Sequence, residues 1–440
     1  MKCLILAAGQ GSRLQQKGEV KPLIPLLGIP LIERVIRSAH HAGADDFLVV
    51  TGYQSEKLKP FITQLGERLN IPITCIHNEE WEQENGLSVL KARDFLQEPF
   101  LLLMADHVFD PEWVRILLRH PLKEGEVVLC VDQDIHNPLI DMEDVTRVKM
   151  ESDRIQAIGK GLADYNAFDT GIFLCTPGIF PALEESARKH NDTTLSGAGR
   201  VLAAAGRFHA VPVTGRFWMD VDSPAAFKKA AQGLLGQLRN KATDGPVSRY
   251  LNRPLSIRIS GMLVHTPVTP NQISFVSFLL SLLAAGFFAY GGYLFLVTGG
   301  LLAQFASVID GCDGEVARLK FQQSDYGGWF DAVLDRYADA FLLFGLTWHA
   351  YEAQPEGFIL LTGFMAIIGS FMLSYTADKY DHLMHQKIGT GSPFRLGRDV
   401  RVFLILLGAL FNQALLTLAV IAVVMNGETL RRVIICRDNG

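Results

Sequence analysis

The feature that most constrains the fold of this chain is an abrupt change in hydrophobicity partway along it. Up to about residue 235 the 440-residue sequence mixes charged and apolar residues as a soluble domain does, whereas from about residue 270 long apolar runs dominate. We count six such runs, at approximately 272–290, 293–310, 327–349, 357–377, 400–412 and 414–430. The sequence therefore predicts an all-α domain of six transmembrane helices over residues 269–440.

The first 235 residues alternate short apolar runs with amphipathic stretches. The stretch at 30–44 has helical spacing, and strands are predicted at 3–8, 47–52, 73–77, 100–106 and 127–132. Buried strands that alternate with helices predict an α/β doubly wound, Rossmann-like domain over residues 1–235, with a mostly parallel sheet covered on both faces. Ligands bind such sheets at the carboxyl ends of the strands.

Residues 236–268 connect these two parts of the chain. Arg249, Arg253 and Arg258 lie among apolar residues in this segment. A basic amphipathic stretch just before a membrane domain is typical of a helix that lies at the membrane surface. An ordinary solvated linker is the alternative.

Lysine and arginine are distributed unevenly among the loops between the apolar spans. The loops after the first, third and fifth spans contain none, whereas those after the second and fourth contain Arg318, Lys320, Lys379, Lys387, Arg395, Arg398 and Arg401. Because such charge accumulates on the cytoplasmic side, the pattern predicts a multi-pass cell-membrane protein with a cytoplasmic N-terminal domain and C-terminus. Six cysteines without paired spacing agree with a reducing compartment, and the net charge of −5 gives no reason to expect a nucleic-acid partner.

Four aspartates interrupt the apolar half of the chain: Asp310, Asp313, Asp331 and Asp335. A charge at bilayer depth costs about 2.5–3.5 kcal/mol per Asp, so a ligand is needed to offset them. On helices, the three- and four-residue spacings place each pair on one face. Two such pairs would form an oxygen cage that suits Mg²⁺, Mn²⁺ or Ca²⁺ rather than zinc, and Arg318 adds a cation for phosphate. A solvated acidic loop is the alternative, but the flanking segments are too apolar for one.

The aspartates belong to a longer pattern, Asp-x2-Asp-Gly-x2-Ala-Arg-x8-Gly-x3-Asp-x3-Asp. This pattern resembles the signature of the CDP-alcohol phosphotransferases, a family of integral membrane enzymes. The resemblance implies that Asp310, Asp313 and Asp331 hold divalent metal and that Asp335, close to the metal, is the general base for an acceptor hydroxyl. It also implies a nucleotide- and phosphate-binding role for Gly314, Ala317, Arg318 and Gly327, and a homodimer formed through the membrane domain.

A glycine-rich turn follows the first predicted strand of the N-terminal domain. Backbone N–H groups at Ala8, Gly9 and Gly11 can bind phosphate there, and Arg13 and Lys21 add positive charge. Such a turn alone is as typical of a purely structural connection as of a nucleotide site.

Together with Lys21-Pro22-Leu23 and the segment 28–32, however, the turn resembles nucleotidyltransferases that act on sugar phosphates and polyol phosphates. The resemblance implies catalytic roles for Arg13 and Lys21 and a metal ion, Mg²⁺ or Mn²⁺, at Asp106 and at either Asp220 or Asp222. It further implies base, ribose, phosphate and acceptor contacts at Asn85, Ser88, Lys160 and Asp169. His107 is either a further ligand or a packing neighbour of Asp106.

The two resemblances fit one pathway, because a cytidylyltransferase makes the CDP-alcohol that a CDP-alcohol phosphotransferase consumes. Segments 247–253, 266–271 and 397–401 resemble a family of bifunctional inositol-1-phosphate cytidylyltransferases and di-myo-inositol-phosphate phosphate synthases. The resemblance implies CTP and inositol 1-phosphate, or a similar polyol phosphate, as substrates and CDP-inositol as intermediate. Arg398 and Arg401 would bind the phosphate of the acceptor, or serve only as inside-facing charges.

Two alternatives are considered. In one, the membrane enzyme uses a lipid donor or acceptor and the first domain is non-catalytic or acts on another substrate. The presence of Arg13, Lys21 and Asp106 argues against an inactive first domain. In the other, the acidic spans belong to a cation transporter, which the signature and Arg318 disfavour.

Overall fold

The computed structural model describes residues 1–213, 215–239, 244–387 and 397–437, without the side chains of 378–387 and Cys436. The chain forms two compact units, Met1–Leu234 and Leu235–Gly440. Each unit is built around its own buried apolar side chains.

The first unit is centred on a nine-stranded sheet. Its strands are β1 (Lys2–Ala7), β4 (Asp46–Thr51), β5 (Ile73–His77), β6 (Phe100–Met104), β8 (Val127–Asp132), β9 (Arg147–Glu151), β10 (Arg154–Gly159), β11 (Ala167–Cys175) and β12 (Phe208–Pro212). They lie in the order β5-β4-β1-β6-β11-β8-β12-β10-β9. Two small ribbons complete the strands: β2 (Pro25–Leu26) with β3 (Ile29–Pro30), and β7 (His107–Phe109) with β13 (Trp218–Asp220). All five strands predicted from the sequence are confirmed within two residues at each end.

The sheet is mixed, which differs from the mostly parallel sheet that was predicted. β1 pairs in parallel with β4 and β6, and β4 with β5, but β11 runs antiparallel between β6 and β8. The β9–β10 connection has only Ser152 and Asp153, and Ser152 has a φ of 55°. A two-residue loop can join only antiparallel strands, since a parallel pair needs a long crossover.

Helices cover both faces of the sheet, as the doubly wound prediction requires. α1 (Leu31–Ala42), α2 (Ser55–Leu69) and α4 (Glu112–Leu118) pack on one face, where Ile62 and Trp113 are fully buried. α3 (Asn85–Leu90), α5 (Ile179–His190) and α6 (Leu195–Ala204) pack on the other face through side chains such as Phe180 and Leu202. α7 (Pro224–Gln237) follows β13 and buries Ala226 and Ala230.

The described part of the second unit is helical throughout. Its helices are α8 (Arg253–Leu263), α9 (Pro270–Tyr290), α10 (Tyr293–Lys320), α11 (Asp325–Ala353), α12 (Gly357–Lys387), α13 (Arg398–Leu410) and α14 (Ala414–Cys436). Each apolar span predicted from the sequence lies within one of α9–α14, except that the fifth extends two residues beyond α13.

Four segments of the described residues are long and apolar enough to cross a membrane: Pro270–Tyr290, Tyr293–Lys320, Gly357–Ala377 and Ala414–Ile435. α11 and α13 are not among these four helices. α11 carries acidic residues, and α13 has only 13 residues. At 1.5 Å per residue such a helix is about 20 Å long, short of the roughly 30 Å of a bilayer core. The structure thus supports a membrane-associated helical region, and six spans stay a prediction.

The segment before α9 differs from the predicted surface helix in one respect. Arg253 is not at the surface: it is 7% exposed, and its guanidinium bonds to Asp244 and Glu315. Arg258, one turn further along α8, is exposed. A buried carboxylate on α10 therefore determines which arginine of this segment faces the interior.

Candidate active sites

The glycine-rich turn brings Lys21 against the end of β1. Gly11 has a left-handed φ of 61°, and a Cβ there would lie 2.5 Å from side-chain atoms of Lys21. A Cβ at Gly9 would meet nothing within 4 Å. Gly11 therefore permits the close approach of Lys21, whereas Gly9 faces open space beside the turn.

Lys21 lies against the acidic end of the site. Its Nζ donates to Oδ2 of Asp106 at 2.5 Å, and Asp106 follows β6 directly after Ala105. Burial opposes the charge on Lys21, but Asp106 and Asp220 outweigh it and raise its pKa. Lys21 is consequently a permanent cation at the position expected to contact phosphate.

The β7–β13 ribbon brings Asp220 to Asp106 because Asp220 pairs with His107 in register. One ligand atom from each of Asp106, His107 and Asp220 lies within 4.8 Å of the others. Within the described residues, Oδ1 of Asp220 is buried and has no hydrogen-bond partner. An unsatisfied carboxylate oxygen facing a second carboxylate fits a divalent cation such as Mg²⁺ or Mn²⁺.

His107 lies among acids. Its Nδ1 is 2.9 Å from Oδ1 of Asp106. Burial opposes the charged imidazole, but the carboxylates of Asp220, Asp106 and Asp169 outweigh it and raise the pKa of His107 to about 9. His107 therefore lies beside both carboxylates, as a further ligand or as a neighbour that supports Asp106.

Asp222 lies in a second acidic group, with Asp144 and Asp220. It is 8% exposed, and its Oδ2 lies 2.9 Å from Nη1 of Arg13. Burial, its contact with Asp144 and the charge of Asp220 raise the pKa of Asp222 to about 7. Of the two candidates left open by the sequence, Asp220 is the one grouped with Asp106.

Asp144 is a site residue that the sequence did not reveal. It lies in the loop between β8 and β9, accepts from Nη2 of Arg13 at 2.8 Å and pairs with Nζ of Lys160. Its contacts with Asp222, Lys160 and Arg13 lower its pKa. One carboxylate thus holds both Arg13 and Lys160, which are cations expected to bind phosphate.

A pocket of about 380 Å³ contains most of these groups and suits a nucleotide-sized ligand. Asn85 and Ser88 also line it, and each is hydrogen-bonded: Asn85 to the N–H of Leu195 and Ser88 to Nδ2 of Asn78. Ala8, Gly9 and Asp169 complete the predicted residues at its wall.

Asp169 is half-buried at the wall of the pocket. Its Oδ1 accepts from the N–H of Gly171 at 2.8 Å, and burial raises its pKa to about 6. Gly171 has a φ of 70°, and a Cβ there would lie 2.6 Å from Nε2 of His107. The Asp169–Gly171 segment therefore packs directly against His107 at the floor of the pocket.

The second site lies where α10 and α11 present their acidic faces. Carboxylate oxygens of Asp310, Asp331 and Asp335 lie within 4.8 Å of one another. Asp313 is outside this group: it accepts from Oγ of Ser274 on α9 and contacts the carboxyl of Asp331. A donor set made only of carboxylate oxygens fits Mg²⁺ or Mn²⁺ better than zinc.

Two arginines of α13 reach this acidic face. Nη1 of Arg398 lies 2.7 Å from Oδ2 of Asp310 and 2.5 Å from Oδ1 of Asp335. Arg401 is 3% exposed and pairs with Asp339, which also contacts Arg398. Asp339 follows Asp335 by one helical turn and was not identified from the sequence.

Arg318 has no side-chain hydrogen bond or ion pair within the described ranges, and a Cβ at Gly314 would lie 3.6 Å from its Nη1. Ala317 beside it is 8% exposed. The N–H of Gly327 donates to Oγ of Ser324, which caps α11. The structure therefore leaves Arg318 available near Asp313, while Gly327 belongs to the start of the acidic helix.

Each half of the chain matches a family of known proteins. The chain matches the models of the MobA-like NTP transferase domain over residues 3–169 and of the CDP-alcohol phosphatidyltransferases over residues 267–426. A structure of the inositol-1-phosphate CTP transferase from T. maritima is similar to the first half, with 24% identity and a TM-score of 0.47 over 52% of this chain and 95% of that one.

Two relatives match almost the whole chain. The bifunctional IPC transferase and DIPP synthase of Rubrobacter xylanophilus is 36% identical over 98% of this chain and 95% of that protein. The protein of the same name from Aquifex aeolicus is 33% identical over 96% of this chain and 95% of its own length. The chain therefore belongs to the family of bifunctional IPC transferases and DIPP synthases.

Proposed function

We propose that this chain makes CDP-inositol from CTP and inositol 1-phosphate and then transfers the inositol phosphate group to a second inositol phosphate. The observation that supports this most strongly is the presence of two acidic sites in one chain, each with adjacent cations. The near-full-length match to relatives named for both activities supports the same pair of reactions.

In the first reaction a phosphate oxygen of inositol 1-phosphate attacks the α-phosphorus of CTP, and pyrophosphate leaves. Arg13, Lys21 and Lys160 would hold the polyphosphate and stabilise the leaving group. Asn85 and Ser88 would contact base and ribose, and Asp169 would help to form the acceptor subsite. The protein needs to do little covalent chemistry in this reaction, so its main contributions are fixed positive charge and the orientation of the substrates.

In the second reaction the hydroxyl of an inositol phosphate attacks the β-phosphorus of CDP-inositol, and CMP leaves. Asp335 would take the hydroxyl proton, and Arg318 would bind the diphosphate. Arg398 would bind the phosphate of the acceptor after leaving its ion pairs with Asp310 and Asp335, while Arg401 keeps its contact with Asp339.

Divalent metal is proposed at both sites, with Mg²⁺ or Mn²⁺ as the ion. Asp106 and Asp220 would hold it in the first unit, with Asp222 close by; Asp310, Asp313 and Asp331 would hold it in the second, beside Asp335. When bound, the ion supplies charge neutralisation at the diphosphate and the leaving group. Six membrane spans, a cytoplasmic first unit and a homodimer through the membrane domain complete the proposal.

Mass spectrometry of the product made by the whole protein in detergent tests this function. With CTP, inositol 1-phosphate and Mg²⁺, a phosphodiester of two inositol units that retains one phosphomonoester is expected. Other polyol phosphates and lipid acceptors should be supplied in parallel reactions. A product only with a lipid acceptor would favour the lipid-type enzyme and contradict the inositol phosphate assignment.

A further inference from the structure

α8 is joined to the acidic helix α10 by a buried ion pair. Nη1 of Arg253 lies 2.6 Å from Oε1 of Glu315, and the Glu315 side chain is fully buried. Glu315 lies between Asp313 and Arg318 in the sequence, at a position that the CDP-alcohol phosphotransferase pattern leaves unspecified.

Both oxygens of Glu315 are satisfied by α8. Besides Arg253, Oγ of Ser256 donates to Oε1 at 2.6 Å and Oγ of Ser260 donates to Oε2 at 2.7 Å. On its other side Arg253 bonds to Asp244 through Nε at 2.7 Å and Nη2 at 2.9 Å. A carboxylate this deeply buried is tolerated only when several donors surround it, so the geometry between α8 and α10 is specific.

A second attachment lies at the end of α10. Nζ of Lys320 donates to the carbonyl oxygens of Thr266 and Val268, at 2.6 and 2.9 Å. Glu315 and Lys320 are five residues apart, or about 7.5 Å along a helix. The segment that precedes α9 is therefore attached to α10 on both sides of Arg318.

The charged groups near Arg318 carry an excess of negative charge. Asp244 and Glu315 together carry one more negative charge than Arg253 offsets, and all three groups act on Arg318. Within the described residues, none of these groups forms a hydrogen bond or an ion pair with the guanidinium of Arg318. Arg318 therefore lies near this excess of negative charge, and its donors are left for a ligand.

We propose that Glu315 is a positioning residue for the diphosphate of the CDP-alcohol donor. Held by Arg253, Ser256 and Ser260, it fixes the turn of α10 that carries Arg318, and thereby the direction of that side chain. The segment before the first span is then part of the membrane active site. This role rests on the proposed phosphotransfer and adds a residue to it.

Kinetics of the whole protein in detergent, with supplied CDP-inositol as donor and inositol 1-phosphate as acceptor, test the role. Glu315→Gln and Arg253→Gln are expected to raise the KM for CDP-inositol by about 10- to 100-fold, by analogy with the loss when hydrogen-bond partners of metal ligands are removed. The KM for the acceptor should change by less than about twofold, because Arg398 on α13 is untouched.

The matched control is Arg258→Gln, which removes an exposed arginine from the same helix and should leave both KM values unchanged. Ser260→Ala removes one donor to Glu315 without changing any charge, and a smaller rise in donor KM is expected. If Glu315→Gln does not fold, Ser260→Ala tests the positioning role of Glu315. Turnover of CTP by the first unit and thermal unfolding are measured for every variant.

An unchanged donor KM in Ser260→Ala and Glu315→Gln, with only the unfolding temperature lowered, would show a purely structural contact and overturn the inference. An equal rise in the KM values for donor and acceptor would also overturn it. If the wild-type protein released no CMP from CDP-inositol, both the proposed function and the inference would fail. CMP release with an unchanged donor KM in the variants refutes the positioning role alone.

Discussion

At the scale of single residues, each cation of the first site is already paired with a carboxylate. Arg13 and Lys160 share Asp144, and Lys21 pairs with Asp106. Solvent-exposed pairs such as those of Arg13 and Lys160 contribute only about 0.2–1 kcal/mol. A polyphosphate, which offers more charge and more oxygens, can therefore replace Asp144. Asp144 therefore holds Arg13 and Lys160 close together and weakens the binding of substrate only slightly.

Asp144→Asn is expected to lower the KM for CTP by about two- to tenfold, since each released pair is worth a fraction of a kcal/mol to about 1 kcal/mol. Initial rates of pyrophosphate release measure it. Asp141→Asn, which removes a charge from the same loop but no ion pair described in the structure, is the control. A raised KM for CTP would instead identify Asp144 as a group that the nucleotide or its metal needs.

Asp335→Asn is expected to lower CMP release from supplied CDP-inositol by about 10²- to 10⁴-fold, because an amide cannot accept the hydroxyl proton. The assay uses saturating Mg²⁺ so that weaker metal binding does not account for the loss. Asp325→Asn, at the exposed start of the same helix, should keep full activity. Unchanged CMP release in Asp335→Asn would exclude the proposed base.

The sequence identified residues whose spacing is fixed by one helix or one turn, and missed those that reach a site from elsewhere in the fold. Asp310 and Asp331 could be named because each is about one helical turn from another acid. Asp144 could not be named, because its role depends on the fold bringing Arg13 and Lys160 to its loop. Asp339 did carry a signal, being four residues after Asp335 on an apolar helix.

At the scale of elements, close helix packing in the second unit depends on small residues. Gly345 on α11 lies against α9, and a Cβ there would be 2.5 Å from the carbonyl oxygen of Ala285. That neighbour is backbone and cannot move without shifting α9. Because α9 and α11 also carry Ser274 and Asp331, their separation matters for the site as well as for stability.

Gly345→Ala is expected to destabilise the second unit by about 1–3 kcal/mol, the usual cost of overpacking. Thermal unfolding in detergent, followed by loss of CMP release, measures it. Gly286→Ala on α9 is the control, since a Cβ there would meet nothing within 4 Å and alanine favours the helix. Equal unfolding temperatures for Gly345→Ala and the wild type would contradict the packing described.

Element type was predictable over most of the chain, because strands and helices follow from local hydrophobic periodicity. Strand direction was not: β11 inserts antiparallel between β6 and β8, and only tertiary pairing decides this. The same limit applies to α8, where periodicity indicated an amphipathic helix but not that Arg253 would turn inward to Glu315.

At the scale of the whole molecule, the loop charges predict that α11 crosses the membrane. With its acidic residues, α11 is nevertheless not among the four helices that are apolar enough to span it. Carboxylates that are paired or face one another inside the unit, as Asp335 and Asp339 are with Arg398, can be carried by a spanning helix. Six spans would then place the loops at either end of α11 on opposite sides.

Thiol labelling of intact cells tests this topology. In a cysteine-free background, Gln354→Cys, in the loop after α11, should react with a membrane-impermeant reagent, whereas Gln322→Cys, in the loop before it, should react only after permeabilisation. Both positions are exposed. Labelling of both from the same side would contradict the six-span prediction.

If the two sites act in succession on one pathway, a ³¹P NMR time course of the whole protein will show the intermediate between them. With CTP, inositol 1-phosphate and Mg²⁺, we expect pyrophosphate first, a CDP-inositol signal that rises and falls, and finally one CMP per pyrophosphate. Lys21→Ala should stop both products from CTP but release CMP once CDP-inositol is supplied. CMP formed from CTP without pyrophosphate, or no CMP from supplied CDP-inositol, would contradict it.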